Sequence, residues 1–448
     1  MTSTGTLTTE RQDPPGPRST RSQDAYRPTL RVLRTELRRG VAPWTGLCTA
    51  VLLAVTMAAK ADTWQGSWGE TQGLLHSAAT LLAGPLVAAA SCWQGAREHR
   101  RSTTELLGST PRARSSRVVV AALPLALWAV AGYLAVLAAA LLATWPYAGG
   151  GSPFPSFAVA DAAFLVAVGL VGFVVGQRCR WRLTAPVLAV LLYIALGVPS
   201  YSGSTGRFLD PAEQYVLDRS LPVWWFAPAM VAWTCGLALA ALVAHAAGRR
   251  YLAVVPLAVA AAVAPLIMHT GQDLVREDPA AARLVCTDGT PQLCLSEYDR
   301  SLLPQVSGAL SGLFGRLDGV PGAPVRYVDQ DPLHGPDDVQ VPTPNLGWYL
   351  LRGRLQHSED FAWQVAHGVA NRDCPDSFGE ESADSDRVMA TDLAVTDWLA
   401  GLASQTPDAE KTPQLRRLEA MPAPERRAWL GRFLATHTSC SPSEVPVL

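Results

Sequence analysis

Residues 97–117 read REHRRSTTELLGSTPRARSSR. Six arginines fall in this stretch, yet apolar runs at roughly 72–94 and 118–145 flank it. A helix needs about 20 mostly apolar residues to cross the hydrocarbon core of a bilayer. So charged a segment between two such runs reads as a loop on one side of a membrane.

Working outward, seven runs of this kind appear, near 41–60, 72–94, 118–145, 157–176, 184–200, 223–247 and 251–270. Several carry proline (Pro85, Pro124, Pro186, Pro228, Pro256, Pro265), which a membrane helix tolerates where neighbours satisfy the freed carbonyl. A soluble bundle is disfavoured, because so many apolar runs would leave almost no polar surface. Arginine placement then assigns the sides. Eight arginines precede the first run, three lie in 177–183 and two, Arg249 and Arg250, follow the sixth run. Segments 61–71 and 146–156 have none, and 201–222 has two against three acids. The expectation is an N-terminus and a 97–117 loop in the cytoplasm of a bacterial cell, with everything after the seventh run outside. Trp44, Trp93, Trp145, Trp181, Trp224 and Trp225 fall near run ends, where an aromatic belt places them.

The chain of 448 residues is 49% hydrophobic and 17% charged, with a net charge of −1. Near-neutrality argues against a nucleic-acid partner. The mean conceals an asymmetry. Residues 271–448 hold 15 basic and 26 acidic residues, near −11, so the rest is near +10. Residues 1–26 are polar and rich in Ser, Thr, Pro and Arg, a composition that buries no core and reads as a disordered cytoplasmic tail. With no apolar stretch and cleavage site there, no cleavable signal peptide is expected. Residues 27–40, RPTLRVLRTELRRG, place Leu30, Leu33 and Leu37 on one face and arginines elsewhere, the pattern of an amphipathic helix lying in the inner leaflet surface.

Residues 271–448 lose the membrane pattern and are long enough for an independent extracytoplasmic domain. Helical spacing appears at 301–317, 345–356, 360–370, 388–403 and 424–437, with short strands at 324–328 and 339–341. The fold class is therefore a polytopic α-helical membrane protein with a mainly helical α+β domain. Cys286, Cys294, Cys374 and Cys440 lie in that domain. On an oxidising side an even set points to disulfides. Four cysteines allow three pairings. Cys286–Cys294 and Cys374–Cys440 are favoured, because VCTDGTPQLC reads as a turn around Asp288-Gly289.

Within the opening stretch, Ser102-Thr103-Thr104-Glu105 fits a capping box. Gly108 and Pro111 mark the end of a short helix, leaving Leu106 and Leu107 exposed. Two readings stand on this local pattern: a docking element, or a plain basic loop with one helical turn. An interfacial helix, two spans and this loop together resemble the permease subunits of type-two ATP-binding-cassette exporters. The resemblance rests on Arg97, Glu98, His99, Arg100, Arg101, Thr104, Glu105, Leu106, Leu107 and Pro111 and covers roughly 27–250. It implies that Arg97, Glu98, Arg100, Arg101, Ser102, Glu105, Leu106, Leu107 and Pro111 belong to a coupling helix seated on a separate ATPase subunit. It also implies a second permease copy or homologue. A seventh span and the outside domain depart from that pattern; the added domain resembles an extension on similar actinobacterial membrane proteins. The alternative function is a non-transporting membrane protein whose outside domain binds a ligand or partner and signals inward.

The sequence lacks GxxxxGK[ST], HExxH and GxSxG. No catalytic, cofactor or metal site is therefore expected, and ATP hydrolysis would reside on the partner. His357 and His367, and the isolated His334 and His437, read as surface or satisfied side chains. The acidic stretches 329–332, 336–338 and 379–386 lack calcium-loop spacing. Inside the apolar runs, His76 and Asp161 are the notable ionisable residues. Such groups are functional candidates by default, although both fall close enough to a run's end for plain hydration. Gly172 and Gly176 fit close helix packing, within the chain or across a dimer.

Overall fold

The structure, a computed structural model, describes residues 35, 37–38, 40–100, 114–179, 181–329, 338–372, 383–439 and 441–448. All seven apolar runs are helical: α1 (Val41–Ala59), α2 (Trp68–Gly95), α3 (Arg114–Thr144), α4 (Pro155–Arg178), α5 (Thr184–Gly197), α6 (Phe226–Ala246) and α7 (Val254–Thr270). Each, with the short turns that prolong α5 and α7, is long and apolar enough to cross a membrane. Of the segment 27–40, only Thr35, Leu37 and Arg38 are described as helical. The Leu37 carbonyl accepts a 2.8 Å bond from Trp128 Nε1 on α3.

Small residues set how the helices meet. A Cβ on Gly172 of α4 would stand 2.4 Å from the Ala88 carbonyl oxygen of α2, and one on Gly176 only 2.1 Å from that of Cys92. Only glycine allows the two backbones so close. The Gly172–Gly176 pair thus serves packing inside this chain. α1 packs on α3, and α6 lies between α4 and α7. α5 and α7 are peripheral: 11% of each apolar window is buried, against 56% for α2.

The C-terminal part has its own core, built from Leu293, Leu295, Val306, Leu310, Tyr327, Phe361, Val365 and Phe433 among others. Strands β1 (Ser220–Pro222) and β2 (Val275–Glu277) pair antiparallel just before α6 and just after α7. A four-stranded sheet follows in the order β3 (Leu284–Cys286), β4 (Gln292–Ser296), β5 (Arg326–Val328) and β6 (Val339–Gln340). Its first pair is antiparallel and the rest are parallel. Helices α8 (Leu303–Leu317), α9 (Ser358–Ala370), α10 (Ala383–Ala400), α11 (Pro413–Ala420) and α12 (Ala423–Ala435) complete it. α8 buries Val306, Leu310, Leu313 and Leu317, the three- and four-residue spacing of one helix face.

Two departures from the sequence reading have local causes. The helix expected at 345–356 is instead a hairpin, β7 (Leu350–Leu351) with β8 (Arg354–Leu355). Arg352 and Gly353 both take positive φ, 49° and 72°, as a two-residue hairpin turn requires. Helix α11 went unread. Its start is nonetheless signalled by Thr412, whose hydroxyl accepts from the Leu415 N–H, followed by proline at the first helical position.

The bundle has two distinct ends. At one, the 60–67, 145–154 and 202–225 segments meet the C-terminal domain: Arg352 Nε donates to Gln65 Oε1 (2.8 Å), Gly150 lies against Tyr298, and β1 pairs with β2. At the other end, Arg178 Nε donates to His245 Nδ1 (2.7 Å), and α2 runs into the helical turn Arg97–Arg100.

Candidate functional site

The site is built on an interruption in α2. Ser67 caps its start, its hydroxyl accepting from the Glu70 N–H. The helix is α over Trp68–Ala78, turns π over Ala79–Ala83 and resumes α over Gly84–Gly95. Pro85 explains the break, since it offers no N–H to the preceding turn and its ring crowds the carbonyl there. The Thr80 hydroxyl donates to the His76 carbonyl at 2.8 Å. Wide turns of this type gather at functional positions.

His76 sits one turn before the break. Its Nδ1 lies 2.5 Å from Asp161 Oδ1 on α4. The Tyr133 hydroxyl, on α3, donates to Asp161 Oδ2 at 2.8 Å. His76 is 4% exposed, Asp161 1% and Tyr133 1%, so these groups are sealed from solvent. The Phe157 ring stands edge-on to the imidazole with centroids 4.9 Å apart. His76 Nε2 is buried without a hydrogen-bond partner. Asp210 and the backbone of Glu213 approach it from the 202–225 segment.

Those loop carboxylates are also buried. Burial, helped by the charge of Glu213, pushes Asp210 up to about 6, against the Ala212 N–H and His76. Burial likewise raises Glu213, opposed by Arg207, whose Nε is 3.4 Å from Glu213 Oε1. Three carboxylates thus face two basic side chains, and one oxygen each of Asp210 and Glu213 is unpartnered. A recess of about 490 Å³ opens beside them, walled by Leu81, Tyr193, Ile194 and Val198 and ended by Arg207 and Glu213.

Of the sequence-singled residues, the structure therefore joins His76 to Asp161, and both are shut away from water. Tyr133, Asp210 and Glu213 were missed. Tyr133 is a phenol in the middle of an otherwise apolar run, a signal that was available. Arg97, Glu98 and Arg100 lie in the turn that prolongs α2. The Arg100 guanidinium stacks 3.9 Å over the Trp93 ring and donates to the Trp93 carbonyl at 2.8 Å. Arg101, Ser102, Glu105, Leu106, Leu107 and Pro111 lie outside the described residues. Cys286 and Cys294 form a disulfide at paired positions of β3 and β4; Cys374 and Cys440 lie outside the described residues. No group of three or more metal-ligating side chains occurs among the described residues.

No protein-family model matches the chain, and no curated protein or solved structure matches it.

Proposed function

We propose that the chain is the membrane-spanning permease subunit of an ATP-driven exporter of the ATP-binding-cassette type. It would work in a bacterial cell membrane with a separate ATPase subunit and a second permease copy or homologue. Its N-terminus and the 97–117 loop would be cytoplasmic and its C-terminal domain outside, as the arginine distribution favours.

The observation that carries this reading is the continuity of α2. The basic segment that resembles a coupling loop leaves directly from the helix that bears His76, and a wide turn divides the two. A push on 97–111 from a closing ATPase would travel along the inner half of α2. That half is held against α4 at Gly172 and Gly176. Its effect would be felt at the Ala79–Ala83 turn, where α2 bends most readily. The outward apolar faces of α5 and α7 leave surface for lipid and for a second copy.

The test is purification from native membranes in mild detergent. A stoichiometric partner carrying a P-loop is expected, with ATPase activity uncoupled by Glu105→Arg or by Leu106→Ala with Leu107→Ala in a chain that still folds. Normal coupling in the folded variants, or no ATPase partner under conditions that hold a known exporter together, would sink the proposal.

A second reading, a non-transporting receptor, is favoured by one feature: the C-terminal domain is fastened to bundle loops by strand pairing and ion pairs. Deleting 271–448 separates the two. Export that survives the deletion supports the permease; a lost binding response with no transport in any assay supports the receptor.

A further inference from the structure

We propose that the junction between the C-terminal domain and the helix bundle is a proton-tightened clasp, in which Arg219 of the bundle is gripped by Asp299 and Asp329 of the domain and acidification strengthens the grip. The proposal holds under both functional readings.

The clasp is built from three segments distant in sequence. Arg219 ends the loop that leads into β1. Its guanidinium pairs with Asp299 Oδ2, on the turn Glu297–Leu302, and with Asp329 Oδ2 at 3.1 Å, just past β5. The Ser296 N–H donates to the same Asp329 oxygen at 3.1 Å, and Asp329 Oδ1 is buried without a partner. All three side chains are 15% exposed or less. Around them, the loop 149–151 lies so close to Tyr298 that a Cβ on Gly150 would sit 2.7 Å from its ring. Gly69 at the start of α2 abuts the Leu217 carbonyl. A void of about 50 Å³ remains, bordered by Asp218, Arg219, Tyr298 and Asp299, room for little more than a water.

The charges around Asp299 do not balance. The bundle presents Arg219 and Asp218, and the domain presents Asp329. Glu70, at the start of α2, faces Asp218 and adds negative charge. The neighbouring Tyr298 hydroxyl is bonded to Asp278, and Arg283 is taken by Glu297 at the exposed rim. Among the described residues, Arg219 is thus the one cation paired with Asp299 and Asp329. Burial, together with Asp329 and Asp218, holds Asp299 at about 6 despite Arg219, above its usual 3.8. The sign follows. A carboxyl whose pKa is higher when docked binds its proton more tightly in that state. Docking is therefore favoured most below the free pKa and weakens as pH rises through about 6. For this one group, the docking constant falls roughly 25-fold between pH 4.5 and 7.5.

Hydrogen exchange on the full chain in lipid nanodiscs, corrected for intrinsic pH dependence, reads this directly. Amides of 217–225 and 275–277 should open roughly 25-fold more at pH 7.5 than at pH 4.5. Asp299→Asn, a stand-in for the protonated form, should stay closed at both values, with 303–317 as a folding control. Equal corrected exchange in the native chain, or an unchanged pH step in a folded Asp299→Asn chain, overturns the clasp. If that variant loses protection at 303–317, Arg219→Gln on the bundle side decides instead. It should open the junction at pH 7.5 and restore closure at pH 4.5; closure at both values overturns the clasp.

Discussion

The helix bundle and the C-terminal domain turn opposite surfaces outward. Along α5 the exposed residues include Val187, Val190, Leu191, Tyr193 and Ile194, and along α7 Val254, Val255 and Leu257. In the C-terminal domain the large exposed apolar residues among those described are few and scattered: Val325, Trp348, Met389, Leu393 and Val447. One chain is thus suited to two solvents, lipid on one part and water on the other. Their interiors are less different. Each buries a basic side chain against a carboxylate, His76 with Asp161 in the bundle and Arg372 with Asp392 in the domain. In the bundle a phenol, Tyr133, also bonds the carboxylate. In the domain the pair is joined by Thr436, whose carbonyl and hydroxyl oxygens both accept from Arg372. Both pairs also leave one nitrogen, His76 Nε2 and Arg372 Nε, buried without a partner, so the two interiors hold their buried polar groups alike, by several partners but not by all, whatever lies outside the helices.

The largest expected effect falls on the bundle pair. Asp161→Ala leaves His76 Nδ1 and the Tyr133 hydroxyl without the carboxylate that both contact. Removing one partner of a buried pair costs about 3–5 kcal/mol, so the detergent-solubilised chain should melt well below the native one. A loss under about 1 kcal/mol would mean that water reaches the cluster, and the likeness between the two interiors would fail.

The domain pair answers to pH. Burial pushes Asp392 up to about 6, with Arg372 opposing. A raised folded pKa means that its stabilising share is present below the usual 3.8 and is lost as pH climbs through about 6. Asp392→Asn should therefore flatten the dependence of melting temperature on pH between 4 and 7, an effect of at most about 3 kcal/mol. An unchanged slope would show that Asp392 is ionised at all these values and that Arg372 outweighs its burial.

A smaller effect belongs to the domain alone. The Cys286–Cys294 disulfide closes a loop of eight residues in sequence, and the chain-entropy argument gives such a loop about 2–3 kcal/mol. Cys286→Ser with Cys294→Ser should lower the melting point of the domain by that amount. The bundle, which holds only the free cysteines Cys48, Cys92, Cys179 and Cys235 among those described, should be untouched. A shift in both would show that the junction at Arg219 joins them into one cooperative unit.

The two regions were also unequally legible in the sequence. The bundle's helices could be read because a span needs a long unbroken apolar run, and no other element in this chain resembles one. The short elements of the domain compete on nearly equal terms. NLGWYLLRGRLQ has apolar spacing that suits a helix, and only the positive φ of Arg352 and Gly353 settles it as a hairpin. The Cys286–Cys294 pair was legible because both cysteines flank one tight turn. His76 and Asp161 could be singled out, but their contact spans 85 residues, and nothing in local spacing reports a pairing at that range. The Arg219 junction was hidden for the same reason: it joins positions 80 and 110 residues apart.

Tyr133→Phe carries the finest test of the likeness between the two interiors. The substitution keeps the ring that fills the space between α3 and α4 and deletes only the hydroxyl that reaches Asp161 Oδ2. A hydrogen bond between membrane helices contributes about 0.6 kcal/mol on average and rarely above 2. One to a charged group in a water-soluble interior is worth about 1.5–3 kcal/mol. A loss near the lower figure, measured by reversible unfolding in mixed micelles, would say that the carboxylate has other recourse inside the bundle, through His76. A loss near the higher one would say that Asp161 depends on both partners, and that the cluster is sealed as tightly as the core of the domain beyond it. In that case Asp161→Asn, which can still accept at one oxygen, should lose less than Asp161→Ala and keep the order of the three variants fixed.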